Sequence, residues 1–170
     1  IAIALSALVI LFADIIGKGY TGFIKTTITL DVHLDGEAMY LDDPTDADQR
    51  SMADFNAPII TALGDLIPGV EDRAAQRELS RLVGSYGANQ IRDLLRSQPE
   101  LLGTTQTLTF LAHDRVSVYV KHADNDNYSV RLSERQIEWV DYLVERGVIQ
   151  TAFNDVFFQS GDSREPSNAG

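Results

Sequence analysis

Residues 25–35 read KTTITLDVHLD, and they carry the clearest periodic signal in the chain. Ile28, Leu30, Val32 and Leu34 alternate with Thr27, Thr29, Asp31 and His33. A period of two places apolar side chains on one face of an extended backbone and polar ones on the other, so this is a half-buried β-strand. A strand with one dry face needs another layer over that face. The segments on either side of it set the fold class.

Upstream, residues 1–12 read IAIALSALVILF, with Ser6 the one polar residue. The apolar character runs on through Ile15 and Ile16, interrupted by Asp14, and ends at Gly17-Lys18-Gly19-Tyr20. A spanning helix needs about 20 residues. The segment is therefore expected to be an N-terminally truncated transmembrane helix over residues 1–20. Asp14 would lie near the interface, and Tyr20 and Phe23 would lie in the aromatic belt. A signal-peptide core is disfavoured because no A-x-A-type cleavage site comes after it. An interfacial helix is disfavoured because the stretch is apolar all round and has no basic face. A buried core helix is the remaining competitor. Ile1 is not an initiator Met and Pro166–Gly170 has no stop-like tail, so both ends are expected to be cuts inside a longer protein.

Downstream, DDPTDAD (residues 42–48) reads as a polar loop whose aspartates cap the next helix. Met52, Phe55, Ile59, Ile60, Leu63, Leu66 and Ile67 fall at helical spacing, with a kink expected at Pro58 and an end at Pro68-Gly69. Further helices are expected over about Asp72 to Tyr86 and Ala88 to Gln98. Residues 104–112 (TTQTLTFLA) are β-like. Residues 114–122 fit either a strand or a short helix. Ser133 and Gln136 form a capping box that opens a helix carrying Ile137, Val140, Leu143 and Val144, with Gly147 at its end. Residues 148–158 read as a final strand. The fold class is α+β: a mainly helical domain over residues 21–160 with a small antiparallel sheet formed by its first and last strands. If both ends return to a membrane, those two strands lie side by side. Residues 161–170 lead into a next membrane helix.

Composition narrows the function. The chain has 170 residues, 44% hydrophobic and 23% charged, which suits one folded domain. The net charge of −11 argues against nucleic acid and against peripheral docking on anionic lipid. There are no cysteines, hence no disulfide, thiolate metal site or cysteine nucleophile.

Catalytic patterns are absent from the sequence. His33, His113 and His122 stand apart and form no H-x-x-x-H or H-E-x-x-H pair. Residues 124–127 (DNDN) start like a calcium loop. Ser129 then replaces the turn glycine, and Arg135 replaces the bidentate glutamate. The Asp42, Asp43, Asp46 and Asp48 group reads as a solvated loop. Gly84-Ser85-Tyr86-Gly87 is no nucleophile elbow. Trp139 reads as core or interface packing. The expectation is a protein that is not an enzyme and uses no cofactor or metal.

Gly161-Asp162-Ser163-Arg164-Glu165-Pro166, with Ala169-Gly170 after it, is the most distinctive string. It resembles the lead-in to the second membrane helix of PstA-type permeases, the membrane subunits of phosphate-specific ABC importers. One branch of that family carries a long domain between its first two membrane helices. The strand 28–34, Gln90-Ile91-Arg92-Asp93, Pro99 to Gly103, Leu132 to Gln136 with Trp139, and Phe157-Phe158 match that domain in order. The resemblance implies a multi-pass protein of a bacterial inner membrane with its soluble part in the periplasm. It also implies three partners: a second permease subunit, a cytoplasmic ATPase dimer and a periplasmic phosphate-binding protein. The candidate interface residues are Gly161, Asp162, Ser163, Arg164, Glu165, Pro166 and Trp139. A domain of this charge repels phosphate, so docking or regulation is the expected role, not phosphate binding. A membrane-anchored extracytoplasmic sensor is the alternative, and an anchored envelope hydrolase is a third reading.

Overall fold

The computed structural model describes residues 2–19, 24–70, 72–122 and 131–153. Two units are present: Thr26–Gln150, and Ile1–Lys25 with Thr151–Gly170.

In the second of these, α1 runs Ala2–Gly19, 18 residues. At 1.5 Å per residue it rises about 27 Å, slightly less than the ~30 Å of a bilayer's hydrocarbon core. Among the described residues, no helix is long and apolar enough to cross a membrane. The span expected over residues 1–20 therefore gains no support from helix length. Every residue from 5 to 14 is exposed, including Leu5 at 63% and Ile10 at 69%.

Most of a three-stranded sheet lies in the larger unit. β1 (Ile24–His33) is central, β2 (Thr105–Leu111) pairs on one side and β3 (Ile149–Phe153) on the other. β1 and β2 run antiparallel with Ile28 opposite Phe110 and Leu30 opposite Leu108. The Thr29 amide donates to the Val148 carbonyl at 2.9 Å on the opposite edge. The first and last strands are neighbours, as expected. The expected two-strand sheet is corrected by the addition of β2, which joins the free edge of β1. The final strand, expected over residues 148–158, is β3; residues beyond 153 lie outside the described set.

The alternation in β1 works as read. Ile28, Leu30 and Val32 are fully or almost fully buried, while Thr29, Asp31 and His33 are exposed. The wet face is closed by a cross-strand ladder. Thr29 and Thr109 hydroxyls lie 3.0 Å apart, Thr107 donates to Asp31 at 2.6 Å, and His33 Nδ1 lies 3.2 Å from the Thr105 hydroxyl. Such pairs stabilise a sheet by roughly 0.2–1 kcal/mol each.

The dry face is covered by helices: α2 (Gly36–Met39), α3 (Ala47–Met52), α4 (Ala57–Leu66), α5 (Arg73–Leu79), α6 (Tyr86–Ser97), α7 (Asp114–Lys121) and α8 (Glu134–Glu145), with a 3₁₀ turn at Pro99–Leu101. Ile59 and Leu63, Leu79, Ile91 and Leu95, Val116, and Val140 and Leu143 join Ile28, Leu30 and Phe110 in one core. No buried side-chain nitrogen or oxygen among the described residues lacks a partner, as a well-formed interior requires.

Three helical expectations change. The pattern from Met52 to Ile67 is two helices, α3 and α4, because residues 53–56 leave the helical path. Pro58 does not kink a helix; it sits in the first turn of α4, where its missing N–H loses no hydrogen bond. The helix expected over residues 72–86 stops at Leu79. Val83 pairs across to Ala112, the Gly84 amide donates to the Leu111 carbonyl at 2.8 Å, and the His113 amide donates to the Leu82 carbonyl at 2.8 Å. This stretch borrows the end of β2 for its hydrogen bonds. A Cβ at Gly84 would lie 3.1 Å from the Leu111 oxygen, so the close approach suits glycine. Residues 114–121, open to two readings, form α7.

Candidate functional site

Clefts open among the described residues of the larger unit. The first, about 420 Å³, lies along α4 and is lined by Asp54, Thr61, Asp65 and Gln76 with Ile60 and Val70. The second, about 310 Å³, lies between the sheet and α4 and holds Asp31, Asp65, Thr29 and Thr107. Both offer carboxylates and hydroxyls. Among the described residues, no group of three or more His, Cys, Asp or Glu could hold a metal ion.

The third cleft differs in charge. About 330 Å³ in volume, it is lined by Arg50, Arg92 and Arg96 with Ala47, Ser51, Ala53 and Phe55. Arg50 comes from the last turn of α3, and Arg92 and Arg96 from successive turns of α6. Phe55 is 6% exposed and contributes an apolar wall. Arg50 is held: its Nη1 donates to the Pro44 carbonyl at 2.7 Å. Arg92 and Arg96 flank Asp93 at 3.8 and 3.9 Å, beyond hydrogen-bond reach. Guanidinium groups stay protonated and act only as donors, so this arrangement can bind an anion but cannot move a proton.

The aspartates upstream of α3 are structural. Asp46 caps α3 by accepting from the amides of Asp48 and Gln49. Asp43 accepts from the Thr45 hydroxyl at 2.6 Å and its amide at 2.8 Å. The Thr45 hydroxyl, then the Thr45 amide, hold its carboxyl below the usual range; the Arg50 charge adds a smaller push in the same direction. One histidine serves locally too. His113 caps α7 through Nδ1, accepting from the Arg115 amide at 3.2 Å.

Of the residues singled out by sequence, Trp139 is 7% exposed and belongs to the core, with the Arg135 guanidinium 6.0 Å from its ring centre. Gly161, Asp162, Ser163, Arg164, Glu165 and Pro166 lie outside the described residues, as do Asp124 to Ser129. The arginine cleft was not marked by sequence. Arg92 and Arg96 at i and i+4 were the readable part; their meeting with Arg50, more than forty positions away, is tertiary.

No curated protein and no solved structure matches the chain. A family model described as a domain of unknown function (DUF3333) matches residues 1–129. That match takes in the apolar helix, β1, β2 and every helix through α7, so the chain belongs to the DUF3333 family.

Proposed function

We propose that this chain is part of the membrane subunit of an ATP-driven phosphate importer of a bacterial inner membrane. In this reading, α1 contributes to a membrane-crossing element and the α+β unit is a periplasmic insert. The insert docks partners or regulates access rather than holding the transported ion. The observation that carries the reading is the neighbouring of β1 and β3. Two antiparallel neighbours put the start of one and the end of the other at the same end of the sheet. A domain inserted between two membrane helices is well served by this arrangement.

Two further facts support it. Residues 5–14 of α1 are apolar but for Ser6 and Asp14, and all are exposed, which is costly in water and favourable in lipid. The net charge of −11 opposes a free anion at long range. The partners in this reading are a second permease subunit, a cytoplasmic ATPase dimer and a periplasmic phosphate-binding protein.

The test has two arms. Chain 1–170 expressed in a bacterium should sediment with membranes and resist alkaline carbonate extraction; recovery as soluble protein overturns the reading. In the full-length protein, replacing residues 35–150 with a short Gly-Ser linker should change the rate or saturation of phosphate uptake. Uptake indistinguishable from the parent removes the docking or regulatory role. Micromolar phosphate binding by the chain removes the claim that the insert does not hold the transported ion.

A further inference from the structure

We propose that the cleft between α3 and α6 binds a phosphoryl-type oxyanion through Arg50, Arg92 and Arg96. Three arginines line one concavity in a chain whose net charge is −11. Like charges at i and i+4 disfavour an isolated helix. Only part of that repulsion is offset by Asp93, which reaches Arg92 and Arg96 no closer than 3.8 Å. Asp43 lies within the field of Arg50 but spends its carboxylate on Thr45. The lining itself holds three cations and no carboxylate, with the arginines supplied by two helices.

An arginine-lined cleft suits a tetrahedral anion. Arg50 is already immobilised by its bond to the Pro44 carbonyl, so binding orders it little further. Its remaining N–H groups and the two forks on α6 can take separate oxygens of one phosphoryl group, as planar guanidinium does well. Ala47, Ala53 and Phe55 give the cleft apolar walls, which strengthen charge-assisted bonds. The volume of about 330 Å³ exceeds that of a bare ion. It accommodates inorganic phosphate with water or the phosphate of a phospholipid headgroup.

This inference does not depend on the transport reading. Arg92 and Arg96 are 47% and 68% exposed, so screening limits affinity to on the order of 1 mM. The experiment uses chain 1–170 in non-ionic detergent, with the arginine Nε–H resonances monitored by NMR at constant ionic strength. Inorganic phosphate should shift Arg50, Arg92 and Arg96 saturably, sulfate should compete, and chloride should do neither. Arg92→Ala with Arg96→Ala should weaken binding roughly tenfold or more while leaving the melting temperature near that of the parent. Arg50→Lys keeps the charge but loses the fork, and should weaken it several-fold. In a second arm, the chain is placed in phosphatidylcholine nanodiscs without free phosphate, and phosphatidylglycerol is then included. Shifts in this arm identify a headgroup as the source; shifts with added inorganic phosphate alone identify the free ion. Absence of shifts in both arms, or equal shifts with chloride, overturns the proposal. Micromolar affinity supports the cleft and removes the non-transport role given to the insert above, so the two claims fail separately.

Discussion

The Tyr119 hydroxyl reaches both carboxylate oxygens of Asp141, at 2.8 and 3.1 Å, and so ties α7 to α8. Burial, then the hydrogen bond and charge of Asp141, push the Tyr119 phenol above its ordinary pKa of 10.0. The neutral phenol is favoured in the folded state. The stability it contributes is complete below the unfolded-state pKa and is lost as pH rises through the folded one. Tyr119→Phe should destabilise the domain by about 1 kcal/mol at neutral pH. It should also flatten the fall in stability above about pH 10, as read by urea unfolding at several alkaline pH values. An unchanged alkaline limb would place its origin elsewhere.

Asp72 gives the opposite sign. Its carboxylate caps α5, accepting from the Ala75 amide at 2.6 Å, and that bond is the first cause holding its pKa below 3.8. A depressed carboxyl contributes stability above the unfolded-state pKa and loses it as pH falls through the folded value. Asp72→Asn keeps a capping oxygen but not the charge. It should show a smaller loss of melting temperature than the parent between pH 5 and pH 2. Asp72→Ala should melt lower than both at pH 7.

Gly36 opens α2, and an added Cβ would lie 2.6 Å from the Leu41 carbonyl oxygen. That carbonyl belongs to a tight return in which the Leu41 amide donates to the Gly36 carbonyl at 2.9 Å. Backbone cannot swing aside as a side chain can. Gly36→Ala should therefore cost about 1–3 kcal/mol, measured by chemical denaturation. Gly64→Ala is the control, since nothing lies within 4 Å of its added Cβ. That change should be neutral or slightly stabilising.

Legibility in the sequence tracked the range of each interaction. β1 and the Ser133–Gln136 capping box were readable because alternation and capping are local. The adjacency of β1 and β3 was reached by reasoning about chain return, not from either strand alone. The break between α3 and α4 was invisible because Met52, Phe55 and Ile59 keep helical spacing across it. Met52 is 75% exposed, so the pattern had counted a residue that is not in the core. Leu82 and Val83 were assigned to a helix because their hydrogen bonds to the end of β2 are long-range. The arginine cleft was hidden for the same reason: Arg50 and Arg96 line one cleft only in the folded chain.

The capping box shows how a local motif can acquire a tertiary role. The Ser133 hydroxyl accepts from the Gln136 amide at 3.2 Å, and the Gln136 side-chain oxygen accepts from the Ser133 amide at 3.1 Å. The same glutamine donates through Nε2 to the Glu78 carbonyl at 3.1 Å, and the Ser133 hydroxyl donates to the Glu78 carboxylate at 2.9 Å. Gln136 is 7% exposed, so its amide is both a cap for α8 and the link to the end of α5. Gln136→Glu preserves the acceptor that caps Ser133 but removes the donor, and sets an ionised carboxylate against the Glu78 carbonyl. Gln136→Ala removes both bonds and leaves Ser133 able to cap. If the cap alone mattered, glutamate would be tolerated and alanine would cost roughly 1 kcal/mol. With the Glu78 link included, glutamate should be at least as damaging as alanine at pH 7, with both costing about 1–3 kcal/mol. The glutamate variant should recover as pH falls and its carboxyl takes up a proton. Urea midpoints for the two variants at pH 7 and pH 5 distinguish these outcomes.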